Sequence, residues 1–194
     1  MPKRNWTWAA VKEGNTTVGR VNYSSSDRTK YRAFKTEANA PRDATTKFGH
    51  RQVNHAGGSI KKAYASAKLR QRPTNSARAA LAAIAVLNPG YNPVPANKSH
   101  LIPDKFGAPN MTQNLSNERE SINLSGHKLI ENRIGRLMTA ASGGNTHHAT
   151  IRGGIVVRET FDAAGQPKGR QYMVSIKNRT TGNRTFHKLT FNRS

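Results

Sequence analysis

The chain of 194 residues contains no cysteine, which excludes a disulfide scaffold, a zinc–cysteine module and a cysteine nucleophile. Carboxylates are also scarce: ten Asp and Glu stand against 32 Lys and Arg, for a formal net charge of +22. Leu, Ile, Val and Phe total 33 residues, or 17% of the chain. That is below the roughly 20% which, with high net charge, flags a disorder-prone composition. No run of 18 apolar residues occurs, so no membrane-spanning helix and no membrane partner are expected. Met1 to Arg20 hold no apolar stretch of the kind a cleavable secretory signal carries.

What is present is unevenly placed. Residues 1–75 hold 8 of the 33 large apolar residues and residues 76–194 hold 25, so the core is expected mainly in the last two thirds. Residues 1–99 carry 18 basic and 4 acidic side chains, and no acid occurs between Asp43 and Asp104, where nine Lys and Arg do. A structural face normally mixes both signs. A one-signed stretch of this length, on a chain this basic, points to a polyanionic partner, and nucleic acid fits it best.

The coarse elements follow from pattern and punctuation. Residues 6–11 and 18–23 flank Glu13-Gly14-Asn15 and read as a hairpin, and Thr29–Phe34 reads as a further strand. Residues 35–72 read as a long basic loop with a short helix near Lys61–Leu69. Residues 76–87 read as a buried helix, capped by Asn75 or Ser76 and stopped by Asn88-Pro89-Gly90. Ser99–Pro103 is a short extended piece. Ile122–Met138 reads as a helix with Ile130, Ile134 and Leu137 on one face. A three-stranded meander closes the chain, turning at Asp162–Gly165 and at Thr180–Asn183.

One segment carries chemistry. It reads Asn97-Lys98-Ser99-His100-Leu101-Ile102-Pro103, then Phe106-Gly107-Ala108-Pro109, then Asn114-Leu115, Asn123 and Glu131. At about 100° per residue, Asn123 and Glu131 lie roughly 80° apart around one helix, so both can face the strand that ends in His100. This spacing resembles the DNA/RNA non-specific endonuclease family, the ββα-metal nucleases, and most of all the subgroup found as bacterial toxin domains. The likeness covers about residues 90–194, including Leu189-Thr190-Phe191-Asn192 at the end. Lys98 stands where that family often has Arg, and Ser99 where it has Gly.

The resemblance implies an α+β fold with a ββα-metal nuclease core, an antiparallel sheet and flanking helices. It implies a single nuclease domain over 1–194, with a basic hairpin and loop region at 1–75 and the catalytic core at 76–194. His100 would be the general base, Asn123 the metal ligand, and Glu131 a carboxylate holding the ion's water. Asn114 would orient the site and Lys98 would supply a cation. One Mg²⁺ or Mn²⁺ would be the cofactor, since an amide oxygen suits a hard ion and imidazole titrates where a water proton must be taken. Arg51, Lys61, Lys62, Lys68, Arg70 and Arg72 are the expected phosphate contacts, and no module for reading base sequence is evident.

The implied activity is sequence-nonspecific hydrolysis of DNA, with RNA as a second substrate. The implied biology is an antibacterial effector, delivered without an ordinary signal peptide, acting in the target's cytoplasm and neutralised by an acidic immunity protein. The rivals are a non-catalytic nucleic-acid-binding protein on a nuclease scaffold and an RNA-only nuclease. Trp6 and Trp8 read as sheet packing. His50, His55, His127 and the His147-His148 pair read as ordinary loop or packing histidines. Gly153-Gly154 is not read as a phosphate loop, since neither Lys nor a helix follows it.

Overall fold

Gly14 takes a left-handed backbone with φ of 57° and turns the chain, so that β1 (Ala9–Glu13) pairs antiparallel with β2 (Thr16–Ser26). The computed structural model describes residues 9–70, 80–145 and 149–194. Trp6, Trp8, Arg72, the Asn75/Ser76 cap and the His147-His148 pair therefore lie outside the described residues.

The next element corrects the strand expected at Thr29–Phe34. It is a helix, α1 (Arg28–Ala38). Asp27 caps it, its carboxylate accepting from the Lys30 backbone N–H at 2.8 Å. Tyr31, Phe34 and Ala38 fall on its buried side at helical spacing.

Residues 35–72 are likewise not one long loop. They contain β3 (Phe48–Asn54) and β4 (Ile60–Lys68), paired antiparallel, and no helix forms at Lys61–Leu69. Ala63-Tyr64-Ala65-Ser66-Ala67 is buried throughout. Alanine favours helices in isolation, but its small side chain also lets a central strand lie close to the layers on both faces.

Beyond the undescribed 71–79, residues 80–87 form turns and irregular backbone, so the helix expected at 76–87 does not occupy them. Lys98 Nζ donates to carbonyls of this segment, those of Leu81 at 2.8 Å, of Ala82 at 3.1 Å, and of Ile84. β5 (Ala96–His100) then pairs antiparallel with β6 (Leu115–Arg119) as a separate ribbon. The helix expected at Ile122–Met138 starts as a wide π turn, Ile122–His127, and continues as α2 (Lys128–Ala141).

The closing meander forms as read: β7 (Ile151–Phe161), β8 (Pro167–Asn178) and β9 (Arg184–Arg193). The N-terminal strands join it at both edges, giving one seven-stranded sheet in the order β1-β2-β9-β8-β7-β4-β3, antiparallel at every pairing. Strand makes up 43% and helix 22% of the structure. This β-rich fold overturns the expected α+β class with a ββα-metal core, because the segment taken for a loop pairs onto the meander and widens the sheet.

Side chains alternate across the sheet with period two. Ile155, Val157, Tyr172, Val174 and Leu189 share one core with Ile130, Ile134 and Met138 of α2. Val156, Met173 and Tyr64 form a second, smaller core with Tyr31 and Phe34 of α1. The loop after the ribbon, through Leu101, Ile102 and Phe106, and α2 belong to the larger core, α1 to the other face. Each fully buried aliphatic here is worth about 1.5–3 kcal/mol of burial.

Candidate functional site

Between the ribbon, the loop after it and the start of α2 lies a cleft of about 250 Å³. His100, at the end of β5, lines it together with Asn123 of the π turn and Glu131 in the first turn of α2. Asp104, Lys105, Asn110 and Lys128 complete its polar wall. The π turn matters here. A wider turn advances fewer degrees per residue than an α turn, so the eight residues from Asn123 to Glu131 come nearer to two whole turns. Both side chains then face the ribbon, closer in azimuth than a regular helix would put them.

Asn110 contacts the imidazole. His100 Nε2 lies 2.6 Å from Asn110 Oδ1. An amide oxygen only accepts, so Nε2 carries a proton, and in the neutral form of the ring the lone pair is on Nδ1. Lys105 and Lys128 bring positive charge. Burial pulls the Lys105 ammonium below its ordinary value, Lys128 acts in the same direction, and Glu131 works against both. Lys128 Nζ lies 3.4 Å from a Glu131 carboxylate oxygen.

Asn114 and Lys98 act at one remove. Asn114 is wholly buried and does not line the cleft. It accepts from the Ile102 N–H at 2.9 Å and donates to the carbonyls of Ile102 at 3.0 Å and Pro109 at 3.1 Å. One side chain thus clamps both ends of the loop that carries Asp104 and Lys105. Lys98 lines the cleft, but its ammonium is held by the three carbonyls of residues 81–84. It fastens that segment against the cleft.

A buried ion network ties the ribbon to the sheet. Arg170 of β8 is fully buried and pairs with Glu159 of β7 at 2.7 Å. Its other nitrogen donates to the His100 carbonyl at 2.7 Å and to Ser99 Oγ at 3.2 Å. Ser99 stands where glycine was expected because its hydroxyl has this use. Glu118 of β6 pairs with Arg193 of β9, and His127 Nε2 lies 3.6 Å from the other Glu118 oxygen. No known protein family, curated protein or solved structure matches the chain. The site is therefore judged on its own chemistry.

Two groups of side chains offer metal-donor atoms. Donor atoms of Glu118, His127 and Glu159 lie within 4.8 Å of one another, all buried. Arg193 and Arg170 already neutralise those two carboxylates. A dication would add two uncompensated charges to a dry, neutral set, a cost of several kcal/mol. Nearby arginine also helps burial hold the His127 imidazolium well below its ordinary range. The group fits an internal ion network better than a metal centre. In the cleft, Asn123 supplies an amide oxygen and Asp104 and Glu131 supply carboxylates, Glu131 beside the Lys128 ammonium. That hard-oxygen set suits Mg²⁺ or Mn²⁺.

The expected phosphate contacts separate. Lys68 and Arg70 line a second cavity on the α1 face of the sheet. Arg51 is drawn inward: it donates to the carbonyls of Ala38 at 2.7 Å and Glu37 at 2.8 Å, and its guanidinium lies over the Tyr64 ring. Lys61 and Lys62 sit at the start of β4, Lys61 exposed and Lys62 half-buried. Asp104, Lys105, Asn110, Lys128 and Arg170 escaped the sequence reading. Asp104, Lys105 and Asn110 follow His100 by ten residues or fewer, but no motif marks them, whereas Asn114 stands in the Asn-Leu that carries the family resemblance.

Proposed function

We propose that the chain is a metal-dependent, sequence-nonspecific endonuclease that hydrolyses phosphodiester bonds of DNA, and of RNA where a strand can enter the cleft. One observation carries the reading: His100, Asn123 and Glu131, from a strand, a π turn and a helix, face a single polar cleft. His100, with Nε2 committed to Asn110, offers Nδ1 as the position that takes a proton from water. Asn114 keeps the loop in place and Arg170 holds the His100 backbone, so the base does not drift. Lys105 and Lys128 draw the phosphate in. Asn123, Glu131 and Asp104 would hold the divalent ion, which when bound supplies charge neutralisation at the phosphoryl group and the departing oxygen.

The setting that accompanies this reading is an effector aimed at a competing cell and restrained by an acidic inhibitor protein, which a surface of +22 favours. The test is direct. Purified protein is incubated with plasmid and with RNA, in Mg²⁺ and in EDTA, beside His100→Ala. The expected result is cutting that needs the metal and falls about 10²–10⁴-fold in the variant, with nucleic-acid binding unchanged. Intact DNA and RNA under every condition would sink the reading. RNA cut while DNA is spared would narrow it to a ribonuclease.

A further inference from the structure

The cavity on the α1 face, about 630 Å³ in volume, lies at the end of the sheet where β4 leaves it. Six cations line it: Lys35 from α1, Arg42 from the loop after it, Lys68 and Arg70 at the end of β4, Arg152 from β7 and Arg184 from β9. No carboxylate lines it, and none of the six forms an ion pair among the described residues. Three of the acids are committed elsewhere: Glu37 to Arg158, Glu159 to Arg170, Glu118 to Arg193. Six like charges gathered around one cavity from five separate segments repel one another, and only an anion relieves them.

The floor is shaped for close approach. Lys68 lies opposite Gly154 in the β4–β7 register. A Cβ at Gly154 would strike the Tyr31 hydroxyl and the Arg42 guanidinium, so glycine makes room for both. Arg42 Nε is buried there without a hydrogen-bond partner among the described residues. The Gly153-Gly154 pair, which no loop motif explained, thus forms part of an anion cradle.

We propose that this cavity is a second nucleic-acid site, which holds the sugar–phosphate backbone of a strand whose scissile bond lies in the cleft. The lining decides the chemistry. Its one aromatic, Tyr31, is buried and presents its hydroxyl, so no ring face is offered for a base to stack on. The donors suit phosphate oxygens and carry no base code. Six cations exceed what one phosphate needs and match several in succession. Arg70 sets the route, because it also donates to the carbonyl of Gly107, in the loop whose other residues wall the cleft. A strand leaving His100 across that loop meets Arg70 and then the cavity.

The inference rests on the endonuclease reading for the kind of anion, but its test needs no cutting. Lys35→Glu with Lys68→Glu changes two exposed side chains, so the fold should survive, and a circular-dichroism melt checks this. Lys12→Glu with Lys168→Glu makes the same charge change at exposed positions away from the cavity. Binding of a fluorescein-labelled DNA strand is followed by anisotropy in EDTA across a salt series. We expect the cavity variant to bind at least about tenfold more weakly. We also expect the slope of log K against log salt to be shallower by about 1.4–1.8, as for two lost phosphate contacts. The control pair should move much less.

Equal losses in the two variants, or none in either, would overturn the proposal. A selective loss in the cavity variant alongside a wild type that never cuts plasmid would uphold this site and remove the endonuclease reading.

Discussion

Arg170 spends its guanidinium inside the protein, on Glu159, Ser99, Tyr172 and the His100 carbonyl. Removing one partner of such a pair leaves the other charged in a dry core, and this typically costs 3–5 kcal/mol, whereas replacing both with apolar groups of similar volume is often near neutral. Glu159→Gln and Arg170→Met alone should therefore each lower the urea midpoint sharply. Glu159→Leu with Arg170→Met should recover most of it, yet cutting should stay low because nothing then holds the His100 backbone. If the double variant regained both stability and activity, Arg170 would have no positioning role. The pair was legible in principle: the turn at Asp162–Gly165 sets Glu159 directly opposite Arg170. Its burial was not, since a sequence does not say which cross-strand charges face the core. His100, Asn123 and Glu131 were singled out by motif spacing that resembles a nuclease family, while Asn110, which contacts the imidazole, lay in a loop whose path depends on Asn114.

At the scale of the element, two misreadings followed propensity. Thr29–Phe34 has β-favouring residues but becomes helix α1, because Asp27 caps it and its apolar residues recur at helical spacing out to Ala38. Residues 61–69 have alanines at helical density but become β4, because the sheet needs small side chains between its two packed faces. Tertiary packing outweighed propensity in β4, and the cap with its apolar period outweighed it in α1. The meander at 151–193 was legible because its alternation and turn residues agree. The cap can be tested: Asp27→Ala should cost about 1 kcal/mol and lower the melting temperature by a few degrees. An unchanged melt would mean that α1 is held by Tyr31 and Phe34 alone. Gly153→Ala should be far worse, since its Cβ would overlap the Ser175 carbonyl of the neighbouring strand. A variant that folds with wild-type stability would show that the β7–β8 pairing is looser than drawn.

For the whole molecule, a charge of +22 makes acid the stressful direction, and two histidines add to it. Burial, with Arg133 nearby, lowers His187 to about 4, while Tyr23 and Thr185 hydrogen-bond its ring. Burial, with Arg170 nearby, lowers His127 well below its ordinary value. Both groups bind a proton more readily when unfolded. Their contribution to stability is therefore complete above about pH 6.5 and is lost as pH falls toward the folded values. For His187 the window runs down to about pH 4, and the total loss is about 3 kcal/mol at roughly 1.4 kcal/mol per unit. Glu118 runs the other way. Burial raises its carboxyl although Arg193 and Arg170 oppose this, so its protonation favours the fold as pH falls. One carboxyl set against two histidines leaves the net slope positive with pH. The urea midpoint should therefore drop between pH 7 and pH 5, and His187→Gln should be measurably less sensitive over that interval. A wild-type midpoint that stays level, or rises, would show that His127 and His187 protonate without unfolding the sheet. In that case the internal ion network must absorb the extra charge.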